Sequence, residues 1–303
     1  MRAGVLVLVV TVALAAPVGA RAYGWPVKPF DRPHPIRGGF DDPRLHIDDD
    51  PVDDSSAFHF GVDIAVPDLT RVYAVAPGIA HSAGEHVSVR DRPGHAFSYW
   101  HVIAVVPTGA RIRRHQLLGY VAVGWGHVHF AERIHGHWVD PLRRGALTPY
   151  PDRTTPIVRS VQLVSGPEAT PVDPRAVSGF VGIVADAYDL PPLPPPPPWN
   201  MAVIAPARLG WRLLRGDEEV LPWRTTVDFA DGLLPSPLFD WIYAPGSYQN
   251  KPDRPGDYRF WLVHELDTST LAPGDYRVEV RASDTRGNVG TGALDFTVAP
   301  PAA

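Results

Sequence analysis

Hydrophobic positions in this chain fall in short runs, without helical stripes. Between residues 23 and 150, apolar segments such as Val72–Ala76, Val87–Val89, Trp100–Val106 and Leu117–Val123 are separated by clusters of Gly, Pro and Asp. Such spacing predicts strands joined by turns. From Ile157 onward the candidate strands are Val158–Val164, Phe180–Ala187, Gly210–Leu214, Arg224–Phe229, Arg259–His264, Tyr276–Ala282 and Ala293–Val298, which is enough for a β-sandwich. The polar, proline-bearing stretch at residues 151–156 reads as a linker, and Pro191–Pro198, seven prolines and one leucine, as a stiff polyproline II loop. At the N-terminus, Arg2 precedes the apolar run Val5–Ala16 and a small-residue ending, Ala20-Arg21-Ala22. Residues 1–22 therefore read as a signal peptide, because the run is shorter than the ~20 residues that span a membrane, with an uncleaved N-terminal membrane anchor as the alternative. The expected organisation is a signal segment 1–22, a β unit 23–150, a linker 151–156 and a β-sandwich 157–303, all-β throughout.

Alternation within two of the runs places chemistry on one face. In Phe58-His59-Phe60-Gly61-Val62-Asp63-Ile64-Ala65-Val66, read as one strand, His59, Gly61, Asp63 and Ala65 share a face while Phe60, Val62, Ile64 and Val66 share the other. In Gly126-His127-Val128-His129-Phe130, the two histidines point one way and Val128 and Phe130 the other. His-x-His converges only on a strand. His135-Gly136-His137 has the same spacing, but its glycine marks a hairpin turn. His59, Asp63 and one of His127 or His129 make three ligands, and three protein ligands plus one water is the composition of a catalytic zinc site. The remaining histidine is then a candidate general base. His101, in the run Trp100–Val106, is a candidate second proton-transfer or oxyanion-stabilising group.

Composition narrows the chemistry. There is no cysteine, so thiolate metal sites, Cys nucleophiles and disulfides are excluded. Twelve of the thirteen histidines lie between His34 and His137, which locates the chemistry in the first unit. A net charge of −5 leaves no basic field for nucleic acid. The acidic stretch 48–54 reads as a solvated loop, since it lacks a full calcium-ligand spacing.

Three motifs in order, His59-Phe-Gly-Val-Asp63, Tyr99-Trp-His101 and His127-Val-His129-Phe130, resemble those of the lysostaphin/LytM-type zinc metallopeptidases, the murein and β-lytic endopeptidases. The resemblance covers about residues 36–145 and extends to Ala74–Gly78, Gly119, Glu132 and Val139–Leu142. It implies an antiparallel β-sheet domain of the duplicated hybrid motif type. It further implies Zn2+ held by His59, Asp63 and His129, His127 as general base, His101 supporting the oxyanion, and Tyr99 lining the substrate groove. The approach Tyr120–Gly126 is more apolar than the family's, which bears on substrate preference. The C-terminal sandwich resembles immunoglobulin-like bacterial modules.

The function expected from these readings is a secreted zinc endopeptidase acting on the peptides of bacterial cell-wall peptidoglycan, with no nucleic-acid partner and no stable membrane span once the signal is cleaved. The sandwich would dock to the wall or to a protein partner, or serve as a spacer. The alternatives are a zinc protease acting on proteins, and a non-catalytic peptidoglycan-binding or regulatory protein that keeps the fold.

Overall fold

A computed structural model describes residues 22–45, 57–230 and 232–300. The expected signal segment, save Ala22, and the acidic stretch 48–54 lie outside the described residues.

The first unit carries strands β1 (Ile36–Gly38), β2 (Pro43–Arg44), β3 (Ala57–Phe58), β4 (Val62–Ala65), β5 (Arg71–Tyr73), β6 (Gly78–Ala83), β7 (His86–Arg92), β8 (His95–Trp100), β9 (Val102–Ala104), β10 (Arg111–Ile112), β11 (Leu117–Val121), β12 (His127–Ile134) and β13 (His137–Val139). Eight of them form one antiparallel sheet in the order β1-β4-β12-β8-β7-β6-β10, with β13 also paired to β12. A three-stranded sheet, β5-β11-β9, covers one face of it. Val62, Ile64, Val87, Val89, Tyr99, Val128 and Phe130 of the large sheet meet Val72, Val102, Leu118 and Val121 of the small one in a single buried core. This is what strand alternation predicts when one face is apolar. The opposite face of β4 and β12 carries Asp63, His127 and His129. The expected hairpin turn at His135-Gly136 joins β12 to β13, with Ile134 opposite His137 and both turn residues at positive φ.

The second unit has β14 (Ile157–Ser165), β15 (Thr170–Pro171), β16 (Phe180–Tyr188), β17 (Arg208–Arg215), β18 (Glu218–Asp228), β19 (Arg259–Asp267), β20 (Gly274–Ser283) and β21 (Val289–Val298), plus a one-turn helix, α1 (Phe239–Ile242). Two four-stranded antiparallel sheets, β15-β14-β16-β19 and β18-β17-β20-β21, enclose a core of Leu163, Ile183, Leu262, Leu209, Leu213, Val278 and Val280. Each of the seven expected strands is present, most of them longer at one or both ends. The structure is all-β, as the alternation indicates, and among the described residues no helix is long and apolar enough to cross a membrane.

Packing crosses the expected unit boundaries. Phe58 belongs to the second core, against Phe229, Phe239 and Tyr243. Ile204 belongs to the first. Polar contacts join the same surfaces: Ala205 N–H donates to Asp42 Oδ1 at 2.7 Å, the Tyr243 hydroxyl donates to the Asp41 carbonyl at 2.7 Å, and Asn250 Nδ2 donates to the Arg37 carbonyl at 3.1 Å.

Candidate metal centre

Strand register brings the ligand-type residues together. On β12, His129 pairs with Asp63 of β4 and, on its other side, with Trp100 of β8. Cross-strand partners share a face, so the His129 imidazole and the Asp63 carboxylate meet. His127, two residues earlier, projects from the same face. His59 arrives differently from the single-strand expectation. The run 58–66 is broken into β3 and β4, with residues 59–61 outside either strand. The cause is a close approach at Gly61: a Cβ there would stand 2.5 Å from the Phe130 carbonyl oxygen and 2.8 Å from His129 Nε2. The chain bends over β12 where only glycine fits. Phe60, expected in the core beside Val62, instead sits half-buried against His129, Trp100 and Trp138.

The three donor atoms form a tight triangle. His59 Nε2 lies 2.7 Å from His129 Nδ1 and 3.2 Å from Asp63 Oδ1, and His129 Nδ1 lies 3.1 Å from the same oxygen. Ligands of a tetrahedral zinc at a Zn–N distance of about 2.0–2.1 Å stand roughly 3.3 Å apart. Two nitrogens and one carboxylate in that triangle, all buried, fit Zn2+ with little movement. Two of the three outer atoms are anchored as second-sphere partners anchor metal ligands, while His129 Nε2 is buried without a hydrogen-bond partner. His59 Nδ1 faces the Gly39 carbonyl at 2.6 Å. A carbonyl can only accept, so Nδ1 carries the proton and Nε2 presents its lone pair. Arg44 donates to Asp63 Oδ2 at 2.9 Å, leaving Oδ1 for the centre.

Burial and neighbouring charge set the protonation states. Burial, reinforced by Arg44, pushes His59 down to about 3. Burial likewise lowers His129. Burial, then the His127 ring, takes His101 to about 3. Burial opposes ionisation of Asp63, but the imidazoles of His59 and His127 outweigh it and hold the carboxyl well below its ordinary value. Neutral His59 and His129 beside an ionised Asp63 are the state in which these groups bind a divalent cation.

His127 Nε2 lies 3.4 Å from Asp63 Oδ1, and its Nδ1 lies 2.8 Å from the Trp125 carbonyl and 2.6 Å from Arg37 Nη2. His101 stands at the break between β8 and β9, with φ +62°, a conformation rare for a residue with a Cβ. That backbone turn sets its ring against Trp125, centroids 3.6 Å apart, and 4.6 Å from the His127 ring. The run Trp100–Val106, expected to be continuous, is thus interrupted at its histidine. Tyr99, expected in the groove, is instead fully buried. It pairs with Phe130, so alternation puts it on the core side, where its hydroxyl accepts from the Val75 N–H at 2.9 Å. The adjacent Trp100 and His101 line the groove instead.

Several residues around the centre escape sequence reasoning. Arg37, Arg44, Trp199, Gln249 and Asn250 all line the groove, and the Arg37 guanidinium stacks 4.2 Å over the Trp199 ring. Trp199 follows the proline run, so the second unit forms part of the groove wall. No spacing motif marks these positions. Beside the sheet, Glu132 accepts from Tyr23, His95 and Arg143. Burial opposes its ionisation, and the bonds from His95 and Arg143 overcome this to lower it to about 2.

No family model and no curated protein matches the chain. Solved structures similar to it include M23 peptidases. A zinc-containing peptidase from Vibrio cholerae is 23% identical over 40% of this chain and 39% of its own, with a TM-score of 0.33. The catalytic domain of lysostaphin from Staphylococcus simulans is 21% identical over 34% of this chain and 86% of its own, with a TM-score of 0.29. The catalytic domain of a prophage-encoded M23 protein from Enterococcus faecalis, solved as a point mutant, is 26% identical over 42% of this chain and 98% of its own, with a TM-score of 0.29. The chain thus spans about two fifths of the length of the first of these.

Proposed function

We propose that the protein is a zinc-dependent endopeptidase, and that its substrates are the peptides of bacterial cell-wall peptidoglycan, met outside the cytoplasm after export. The observation that carries this reading is the triangle of His59 Nε2, Asp63 Oδ1 and His129 Nδ1 beside two further imidazoles in an aromatic groove.

When bound there, Zn2+ would supply Lewis-acid polarisation of the scissile carbonyl and a low pKa for attacking water. His59, Asp63 and His129 would hold the metal. His127 is the general base: its Nε2 faces the centre, 3.4 Å from Asp63 Oδ1, where it takes the proton of the attacking water. His101, neutral and fixed by its stack on Trp125, donates a hydrogen bond to the oxygen that gains charge as the carbonyl is attacked. Phe60, Trp100, Trp125 and Trp199 provide flat apolar walls, and Arg37 and Arg44 give the groove positive charge. That combination suits a peptide bearing carboxylates, as wall peptides do.

The test incubates the zinc-loaded protein with peptidoglycan sacculi and reads released fragments by mass spectrometry, with His127→Ala alongside. New peptide termini from the wild type, absent from the variant and after chelation, are expected. Zinc-replete protein that releases nothing from sacculi or from protein substrates would overturn the enzymatic reading and leave a wall-binding module.

A further inference from the structure

A second group of ligand-type side chains converges where the two units meet. Asp152 lies in the segment leaving the first unit, Asp189 follows the end of β16, and Asp284 opens the turn between β20 and β21. One ligand oxygen from each stands within 4.8 Å of the others. Their exposures are 8%, 2% and 9%. Their own turns hold the carboxylates: Asp152 Oδ1 accepts from the Thr154 N–H at 2.9 Å and from the Thr154 hydroxyl, Asp189 Oδ1 from the Leu190 N–H at 2.9 Å, and Asp284 Oδ1 from the Arg286 and Asn288 N–H groups at 2.8 Å, with its Oδ2 accepting from Asn288 Nδ2 at 2.6 Å. Arg286 lies over the Tyr150 ring, 5.2 Å from its centroid, and its charge favours ionisation of Asp152, but it stands beyond ion-pair distance of the three carboxylates. Three converging buried carboxylates repel one another, and one neighbouring guanidinium out of ion-pair range leaves most of that repulsion uncompensated.

A separate observation points to what occupies the space. The three aspartates line one cavity with Asp140, Tyr150 and Gly39. Tyr150 is 6% exposed, and its hydroxyl is buried without a hydrogen-bond partner. A buried O–H beside carboxylates with nothing to bond to is costly. Water carried by a cation would be its partner.

We propose that Asp152, Asp189 and Asp284 bind a single Ca2+ ion, that the Tyr150 hydroxyl bonds to one of its waters, and that the ion fastens the segment 151–156 to the β-sandwich. The donors are all oxygens, which suits a hard cation and disfavours zinc. Ca2+ accepts six to eight oxygens in flexible geometry, so three carboxylates held by their own turns need only waters to complete the shell. Burial, with Asp152 and Asp284 nearby, raises Asp189 to about 8. The site also adjoins the catalytic groove. Gly39, which lines the cavity, accepts from His59 through its carbonyl and sits against Ile204, where a Cβ on the glycine would come 2.7 Å from the isoleucine Cβ.

The test uses the full protein with one equivalent of Zn2+ in calcium-free buffer. Tb3+ luminescence, excited through the aromatic side chains, is expected to saturate at one ion per chain and to be displaced by Ca2+ and not by Zn2+. The melting temperature is expected to rise by about 5 °C or more at a hundredfold excess of Ca2+ over its Kd. Asp189→Asn and Asp284→Asn should each weaken Ca2+ binding at least tenfold with zinc stoichiometry unchanged. Tyr150→Phe, which leaves the carboxylates intact, should weaken it several-fold. Wild-type protein whose melting and Tb3+ luminescence ignore Ca2+ would overturn the proposal, as would folded Asp189→Asn with an unchanged Ca2+ response.

Discussion

The two buried polar clusters of this protein are assembled in opposite ways. The His59–Asp63–His129 cluster mixes nitrogen and oxygen donors and is built by strand register, with Asp63 and His129 as direct cross-strand partners. Two of its outer atoms have their own partners, Gly39 for His59 and Arg44 for Asp63. The Asp152–Asp189–Asp284 cluster is oxygen only, comes from three turns remote in sequence, and has no paired cation among the described residues. The first is held on a rigid sheet, as the proposed peptidase reading needs; the second joins parts of the chain, as the proposed calcium fastening needs. The difference teaches that donor chemistry and the element carrying each donor together point two buried clusters toward different roles.

The sharpest way to break the comparison is to delete a ligand from the first cluster. His129→Ala should lose zinc, read by atomic emission, and reduce peptide release by about a thousandfold or more, while the calcium response of the second cluster persists. Next, His127→Ala should keep its zinc yet lose activity by about 10²–10⁴-fold; full activity would remove His127 as the base. Arg44→Ala, which frees Asp63 Oδ2, should weaken zinc binding about 10–100-fold in a competition titration, a second-sphere effect.

A pH series on calcium-free protein addresses the second cluster. Burial raises Asp189 to about 8, Asp42 to about 7 and Asp140 to about 6. A carboxyl whose pKa rises on folding binds more protons folded than unfolded, so its contribution is present at low pH and is lost as pH climbs from about 4 through those values. Melting temperature should therefore fall across that window without Ca2+, and Asp189→Asn should flatten the slope. The metal-free histidine cluster runs the other way. His59 and His101, lowered to about 3, favour the folded state above the unfolded value near 6.5, and that contribution is lost as pH falls from there toward 3. The smallest effect belongs to the wall: Trp199→Ala should raise KM several-fold and leave kcat nearly unchanged, because it removes contact area away from the reacting bond.

What is legible in the sequence follows from the same contrast. Period-two alternation in His127-Val128-His129-Phe130 displays both the site face and the core face, and the apolar runs mark the sandwich strands. Alternation misplaces Phe60 because it assumes a continuous strand, and the bend at Gly61 arises from contact with Phe130, distant in sequence. Tyr99 is misplaced for the converse reason, since the family motif draws it to the groove while its pairing with Phe130 turns it into the core. Trp199, Asn250 and Asp189 carry no local signal at all. Their roles arise from the packing of one unit on the other, and single-chain periodicity holds no trace of it.

The proline run before Trp199 has a consequence for how a substrate is met. Its rings restrict the backbone before anything binds, and its end is pinned, with Trp199 N–H donating to the Pro196 carbonyl at 3.0 Å and Asp253 N–H to the Pro198 carbonyl at 2.7 Å. The indole is thus presented by a segment with little freedom left to lose. A flexible peptide entering the groove bears the ordering entropy on this side alone, because the wall is already in its final shape.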